Sequence, residues 1–274
     1  MLAGEPFLTG DCYSALTARI VQDIGFPAAY MGGHATGMMH RAIPDYGVFT
    51  PTEMIDIAGW VAEVIDIPLV VDADEAGENI ASVHRSIQRY ERAGLAGLHI
   101  EDEVDPKHSP WDGPLLPIGD MQARIEAAVK ARRSDDFVVM VRTNEFQVAN
   151  GGGNGSLEEA IARGVAYTEA GADALIPTFA DEDQIREIAA AVSIPLGGYQ
   201  ELLPGLQFSL FTGYGVVAAA QAHYEMARHV FEHGSLPERS WSIPNKGWLT
   251  RQGAYDDVIG RWAESTGRPV RTLP

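Results

Sequence analysis

The chain has 274 residues, of which 46% are hydrophobic and 21% are charged. This composition excludes an intrinsically disordered chain, and the length suits one α/β barrel of about 250 residues or two smaller domains. A net charge of −18, from 38 acidic and 20 basic residues, excludes nucleic acid and anionic membrane surfaces as expected partners. A small anionic substrate would therefore need a local cation in its pocket.

Cys12 is the only cysteine, which excludes a disulfide framework and a thiolate metal cluster. The first residues lack a charged segment followed by an apolar run, and no apolar run approaches the roughly 18 residues that a membrane span requires. The sequence therefore predicts a cytoplasmic protein that is neither exported nor embedded in a membrane.

Short apolar segments alternate with amphipathic stretches along most of the chain, and several of these stretches end at glycine, as at Gly94 and Gly171. The predicted strands cover residues 6–9, 28–31, 69–72, 97–100, 138–142, 174–177, 196–199 and 216–219. Eight such units predict an α/β fold of the (β/α)8 barrel type. The main alternative is a doubly wound open sheet. The chain has no GxGxxG motif after its first predicted strand, which argues against that fold.

The domain organisation is predicted to be a single barrel over residues 1–274, because no linker rich in proline, glycine or serine divides the chain. Residues from about 241 form a C-terminal extension that contains several tryptophans. Packing of this extension on its own barrel and packing on a neighbouring subunit are equally consistent with the sequence.

Polar residues follow the predicted strands where a barrel would open. They are Tyr30, Gly32 and Gly33 after the second strand, Asp72 and Asp74 after the third, Glu101 after the fourth and Arg142 at the end of the fifth. The carboxyl ends of barrel strands meet at one mouth, so the carboxylates should converge beside one guanidinium. Such repulsion requires either a divalent cation or the uptake of protons, and oxygen-only ligands favour Mg²⁺ before Mn²⁺ as the cation.

Each of these residues also has a purely structural interpretation. Asp72 and Asp74 could form an acidic loop before the next helix, with Asn79 as the N-cap of that helix. The acidic run that begins at Glu101 could be a solvated face. Arg142 could form a structural ion pair, although a carboxylate clamp fits better after the apolar run 137–141.

Three segments carry a family resemblance: DADEAGEN (72–79), GLHIEDEVDPKHS (97–109) and VRTNE (141–145). They resemble the D-x-D-x-G-x-G-N, I-E-D-x-x-x-P-K and A-R-T-[DE] motifs of the isocitrate lyase and phosphoenolpyruvate mutase superfamily, in the same order over about residues 6–220. The resemblance implies a (β/α)8 barrel whose last helix is swapped within dimers that pair into tetramers. It also implies Mg²⁺ and a small 2-oxo or 2-hydroxy acid whose carbon–carbon, or sometimes phosphorus–carbon, bond is broken or formed.

The resemblance also implies roles for single residues. Asp72 matches the direct metal ligand, and Asp45, Asp74 and Glu101 match residues around the waters of the metal. Tyr30, Met31, Gly32, Gly33, Asp74, Arg142 and Thr178 fall in the substrate-binding set, and Lys107 matches the lysine of a mobile gating loop. From the sequence alone, Asp45 could equally be a turn residue and Lys107 a solvated cation.

The chain differs from the lyase branch at positions whose side chains distinguish the reactions of the superfamily. Ser109 stands where the lyases have an acidic cysteine, Thr178 where they have glutamate, and Gly198 where they have asparagine. A serine hydroxyl is a poor general acid, whereas His108 beside it has a suitable pKa. The catalytic candidates are therefore Glu101, Lys107, His108, Ser109 and Arg142.

Three functions are compatible with these residues. The first expectation is a Mg²⁺-dependent carbon–carbon lyase acting on a small 2-hydroxy di- or tricarboxylate of the alkylmalate or methylisocitrate type. The second is a decarboxylase, hydrolase or phosphorus–carbon mutase of an oxaloacetate- or phosphonopyruvate-like 2-oxo acid. The third is a barrel that kept the metal-binding carboxylates without catalysis and serves as a binding protein. A homo-oligomer, dimeric or tetrameric, is expected for the enzyme.

Overall fold

The structure is a computed structural model that describes residues 2–110, 113–147, 152–238 and 242–269. Within these residues the chain forms eight strands, all paired in parallel. The strands are β1 (Phe7–Asp11), β2 (Ala29–Met31), β3 (Leu69–Asp72), β4 (Gly97–Glu101), β5 (Val138–Thr143), β6 (Ala174–Pro177), β7 (Gly197–Tyr199) and β8 (Phe208–Leu210).

The sheet curls into a nearly closed barrel. Its strand order is β6-β5-β4-β3-β2-β1-β8-β7. The two end strands meet at a bridge between Leu175 and Leu196, where the Leu175 amide donates a 3.0 Å hydrogen bond to the Pro195 carbonyl. The predicted (β/α)8 fold is confirmed, and the carboxyl ends of all eight strands therefore open at one mouth.

Helices cover the outside of the barrel between most strands. They are α1 (Ala15–Ile24), α2 (Gly33–Arg41), α3 (Pro51–Ala62), α4 (Ile80–Arg92), α5 (Ile118–Ala131), α6 (Leu157–Glu169) and α7 (Glu182–Ala191), and α8 (Tyr214–His233) follows the last strand. Side-chain caps fix several starting points: Asn79, for example, accepts hydrogen bonds from the amides of Ala81 and Ser82 at the start of α4. The predicted N-cap role of Asn79 is confirmed.

Strand alternation decides which side chains reach the mouth. Val70 packs inside the barrel, whereas Val71 packs in the layer between the sheet and the helices. Because successive side chains point to opposite faces, Asp72 returns to the inner side at the end of β3. The same alternation in β4 and β5 brings Glu101 and Arg142 to the inner side.

The eighth predicted strand is wrong. Residues 216–219 lie inside α8, and the true last strand is Phe208–Leu210. The alanine-rich run after Val216 favours a helix, and Gly213, at φ 82°, turns the chain into that helix. β8 was missed because it has three residues, of which only Phe208 and Leu210 face the barrel interior.

Residues 1–221 and 222–274 form two compact units. The second unit contains the end of α8 together with α9 (Lys246–Leu249) and α10 (Gln252–Ser265). Tyr255, Val258, Ile259 and Trp262 share one face of α10 by their spacing. A single domain with an extension from about residue 241, and the exchange of the last helix, both stay predictions; residue 241 itself lies outside the described residues.

Among the described helices, none combines the length and the apolar character that a membrane span needs.

Candidate active site

Three carboxylates meet at the mouth of the barrel. Asp72, Asp74 and Glu101 each place one carboxylate oxygen within 4.8 Å of the other two. Asp72 is held at both oxygens: Oδ2 accepts from the Gly33 amide at 3.1 Å and Oδ1 from the Asp74 amide at 3.1 Å. The sequence predicted this convergence from the ends of β3 and β4.

The ammonium of Lys107 lies among these carboxylates. Its Nζ is 2.5 Å from Asp74 Oδ1, donates a hydrogen bond to Glu101, and lies 3.9 Å from Asp45 Oδ1. Burial raises the pKa of Asp74 well above its usual value, and the nearby carboxylates of Asp72 and Glu101 add to the rise against the lowering effect of Lys107. Three carboxylates therefore lie beside the single ammonium of Lys107, which does not neutralise all of them.

This arrangement fits a hard divalent cation. The donors are carboxylate oxygens alone, which is the ligand type that Mg²⁺ binds. The Lys107 ammonium already lies among these oxygens, which shows that the group can surround a positive charge. Asp72, Asp74 and Glu101 would hold the ion, with Asp45 nearby.

Arg142 has hydrogen-bond partners on all three guanidinium nitrogens. Nε donates to Asn144 Oδ1 at 2.7 Å and to Thr178 Oγ1 at 3.0 Å, and Nη2 donates to Gln147 Oε1 at 2.9 Å. Nη1 lies 3.0 Å from Glu101 Oε2. Burial alone would raise the pKa of Glu101, but Arg142 and Lys107 together lower it below its usual value.

His108 connects two loops at the mouth. Its Nδ1 lies 3.2 Å from Asp45 Oδ2, and its Nε2 lies 3.3 Å from Glu103 Oε2. Hydrogen bonds to Asp45 and Glu103 raise the pKa of His108 to about 9. The imidazole is therefore positively charged near neutral pH and ties the loop after β4 to the loop after β2.

Two tyrosines and a histidine lie beside Arg142. Tyr30 Oη is 2.8 Å from His99 Nε2, and Tyr199 Oη is 3.1 Å from the same nitrogen and 3.2 Å from Tyr30 Oη. Burial lowers the pKa of His99, and burial raises the pKa of Tyr199 to about 12. All three groups are therefore neutral near pH 7 and can donate or accept hydrogen bonds.

These groups enclose a cavity of about 180 Å³. It is lined by Tyr30, Gly32, His34, Asp45, Asp72, His108, Arg142, Gln147, Thr178, Phe179, Tyr199, Gln200 and Thr212. This volume is below the roughly 300 Å³ of ordinary ligand pockets, so the cavity suits an acid of a few carbon atoms.

The structure brings together most of the side chains that the sequence proposed. Lys107, Asp74 and Glu101 contact one another, Asp45 and His108 join them, and Thr178 contacts Arg142. Met31 differs, because its side chain is fully buried between the sheet and the helices and only its backbone can face the mouth.

Ser109 also lies apart from the cavity. Its hydroxyl donates a 2.7 Å hydrogen bond to the Pro106 carbonyl within its own loop, and it is not among the described residues that line the cavity.

Gly198 is not the residue of β7 that faces the site. A Cβ at Gly198 would lie 2.5 Å from Leu206 Cδ1, away from the cavity, whereas Tyr199 lines it. The sequence placed Gly198 at the site, but the residue of β7 that faces the cavity is the next one, Tyr199. Tyr199, His99, Asn144, Gln147 and Glu103 were all missed as site residues; alternation would have selected His99, which is two positions before Glu101.

A family model described as phosphoenolpyruvate phosphomutase matches residues 2–232. The isocitrate lyase of Haloferax volcanii is 35% identical over 184 residues, which cover 66% of this chain and 52% of the relative. An oxaloacetate decarboxylase of Bradyrhizobium sp. strain BTAi1 is 32% identical over 258 residues, which cover 89% of this chain and 87% of the relative. The chain thus spans about half the length of the first relative and most of the second.

Among solved structures, an oxaloacetate acetylhydrolase in complex with the product oxalate superimposes with a TM-score of 0.80 at 25% identity, covering 94% of this chain and 93% of the other. The family model spans most of the chain, and the decarboxylase aligns over nearly its full length. The acidic group and the arginine occupy the strand ends that the family motifs mark. The chain belongs to the phosphoenolpyruvate mutase and isocitrate lyase superfamily.

Proposed function

We propose that the protein is a Mg²⁺-dependent enzyme that breaks a carbon–carbon bond of a small 2-oxo dicarboxylate, with decarboxylation of an oxaloacetate-like acid as its reaction. The observation that carries this proposal is the composition of the cavity, in which a fixed guanidinium faces neutral tyrosine hydroxyls and no thiol acid stands on the loop after β4. We also propose that the enzyme is cytoplasmic and homo-oligomeric.

Decarboxylation makes few demands on acid–base groups. The C3–C4 bond of the substrate breaks, CO2 leaves, and the electron pair remains on the three-carbon acid as an enolate. One proton, from water or a hydroxyl, then goes to C3. The enzyme therefore needs positive charge where the enolate oxygen forms, and Arg142 lies at the cavity with its orientation fixed by Asn144, Thr178 and Gln147.

Cleavage of a 2-hydroxy acid demands more. A base must remove the hydroxyl proton, and an acid must protonate the carbon that departs. Ser109, at the position of the acid in the lyase branch, hydrogen-bonds to Pro106 instead. The imidazole of His108 is paired with Asp45 and Glu103. These contacts favour the reaction that does not require a loop acid.

The chain's own residues have separable roles in this proposal. Asp72, Asp74 and Glu101 would hold the ion, which would supply a divalent charge to polarise a 2-oxo acid. Arg142 binds and orients a carboxylate. The loop after β4 would cover one side of the cavity, because Lys107 contacts Glu101 and His108 lies 3.2 Å from Asp45.

The relatives support a small acid as substrate. The decarboxylase that aligns over most of both chains is named for oxaloacetate, and the superimposed hydrolase is named for the same acid. A cavity of about 180 Å³ suits a four-carbon diacid better than a tricarboxylate.

A second candidate is the carbon–carbon lyase acting on a 2-hydroxy di- or tricarboxylate. One observation favours it: the isocitrate lyase is 35% identical over the aligned residues, slightly more than the decarboxylase. In this case His108 would have to leave Asp45 and act as the acid.

The experiment is a substrate panel with purified protein, assayed with Mg²⁺ and with EDTA. CO2 and pyruvate formed from oxaloacetate, above the rate of the metal alone, would support the decarboxylase. A 2-oxo acid released from alkylmalates or from methylisocitrate would support the lyase. No turnover of any acid in the panel would favour the binding protein over both enzymes.

Two variants make the panel specific. Asp72→Asn removes a carboxylate charge from the metal group, and Arg142→Met removes the guanidinium; each should lower kcat/KM at least about 100-fold. Lys130→Met alters an exposed ion pair with Glu126 on α5 and serves as the matched control, with unchanged turnover. Full activity of Arg142→Met would contradict the proposed role of the cavity.

A further inference from the structure

We propose that Tyr199 is the residue that determines substrate size, and that its ring restricts the enzyme to 2-oxo acids without a branch at C3. This inference rests on the proposed function, because it assumes that a 2-oxo acid binds beside Arg142. It concerns a side chain at the end of β7 that the sequence did not single out.

The position of the ring is the first support. Tyr199 ends β7 and lines the cavity together with Arg142 and Thr178. Its ring centroid lies 5.0 Å from Cζ of Arg142, so the phenol lies beside the guanidinium that receives the acid. A substituent that projects from the bound acid toward β7 would therefore meet the ring.

The rigidity of the ring is the second support. Tyr199 packs edge-on against Tyr30 and against His99, with ring centroids 6.4 Å apart in both pairs. Its hydroxyl is within hydrogen-bond distance of both residues. To make room for a branch, the ring would have to give up two aromatic contacts, two hydrogen bonds and the contact with Arg142.

The small size of the cavity is the third support. About 180 Å³ is available beside Arg142, and part of the boundary is this phenol. A methyl group that does not fit a closed pocket is typically discriminated by about 10- to 200-fold. The neighbouring β7 residues do not compensate, because Gly197 and Gly198 have no side chains and a Cβ at Gly198 would point toward Leu206.

The test measures binding rather than turnover. Three unreactive 2-oxo acids with increasing substitution at C3 (pyruvate, 2-oxobutanoate and 3-methyl-2-oxobutanoate) would be titrated calorimetrically into the Mg²⁺-loaded protein. We expect wild-type protein to bind pyruvate at least about tenfold more tightly than 3-methyl-2-oxobutanoate. Tyr199→Ala should reduce this preference to less than about threefold.

Tyr199→Phe is the matched control, because it keeps the ring and removes only the hydroxyl. This variant should keep the wild-type preference. Oxalate is the control ligand for folding and metal loading: it has no C3, so its affinity should change less in Tyr199→Ala than the affinity for the branched acid. Thermal unfolding of each variant would show that the barrel remains folded.

The outcomes separate this inference from the proposed function. If the acids bind but Tyr199→Ala keeps the wild-type preference, the role of Tyr199 is overturned and the proposed function stands. If the preference depends on Tyr199 but oxaloacetate is not decarboxylated, the function is overturned and the role of Tyr199 stands. If the metal-loaded protein binds none of the three acids, both are overturned.

Discussion

Phe179 is one of the non-glycine residues with left-handed backbone at the mouth of the barrel. It follows Thr178 directly, lines the cavity, and has a φ of 63° with 61% of its surface exposed. Left-handed backbone costs a side chain such as phenylalanine roughly 1–2 kcal/mol. Strain of this kind persists where the surrounding structure or the function requires it.

Replacing Phe179 with asparagine should relieve this strain. Asn adopts the left-handed region more readily, and an exposed ring has little packing to lose, so the free energy of unfolding should rise by about 0.5–1 kcal/mol. Phe179→Val is the control, because a β-branched residue disfavours positive φ and should lower stability. Chemical denaturation measures both variants. A larger loss for asparagine than for valine would mean that the ring makes a stabilising contact that outweighs the strain.

At the scale of secondary structure, the helix α5 holds the loop after β3 in place. This loop carries Asp74, one of the three carboxylates that would bind the metal. Arg124 of α5 donates to the Glu75 carbonyl at 2.9 Å and to the Gly77 carbonyl at 2.7 Å, and its Nη2 lies 2.6 Å from Glu75 Oε2. These bonds hold the segment that follows Asp72. A helix on the outside of the barrel thus stabilises the shape of the loop that carries Asp74.

Arg124→Met should weaken Mg²⁺ binding while the barrel stays folded. Loss of the three contacts frees the loop after β3, and groups that orient metal ligands are typically worth 10- to 100-fold in metal affinity. Calorimetric titration with Mg²⁺ would measure the change. Lys130→Met on the same helix is the control, since the ion pair of Lys130 in the described part of the chain is with exposed Glu126. Equal Mg²⁺ affinity in the two variants would contradict the role of Arg124.

The start of α4 gives a second test at the scale of the element. Asn79 Oδ1 accepts from the amides of Ala81 and Ser82, and Ser82 Oγ accepts from the Asn79 amide. Asn79→Ala removes the side-chain cap and should lower the free energy of unfolding by about 1 kcal/mol. Asn79→Ser keeps an acceptor and should lose less than half of that amount in urea denaturation. An equal decrease in the free energy of unfolding in both variants would show that the side-chain cap is not the cause.

The sequence predicted those parts of the site that depend on strand ends alone. Asp72, Glu101 and Arg142 end apolar strands, so alternation and barrel geometry were enough to bring them together. Asn144 and Gln147 were not predicted, because they reach Arg142 through the turn after β5 and no simple periodicity describes that turn. Tyr199 was missed because a one-residue error in register at the short β7 placed Gly198 at the mouth.

Negative charge predominates over the whole molecule. The chain carries a net charge of −18, and the cations at the mouth, Arg142, Lys107 and His108, each lie beside carboxylates. The proposed anionic substrate would therefore be attracted only at short range, at Arg142 and at a bound divalent cation. The excess of acidic groups elsewhere repels both the acid and other parts of the protein itself.

Self-repulsion predicts that moderate salt should stabilise the protein. At about 10 mM ionic strength, charges interact over roughly 30 Å, and at about 150 mM over roughly 8 Å. Added NaCl should therefore raise the midpoint of thermal unfolding, measured in EDTA so that no divalent ion contributes. Exposed ion pairs such as Arg41–Glu53 and Lys130–Glu126 oppose this effect only weakly, because solvent screens them. A midpoint that falls with NaCl would show that these attractions outweigh the repulsion among 38 acidic residues.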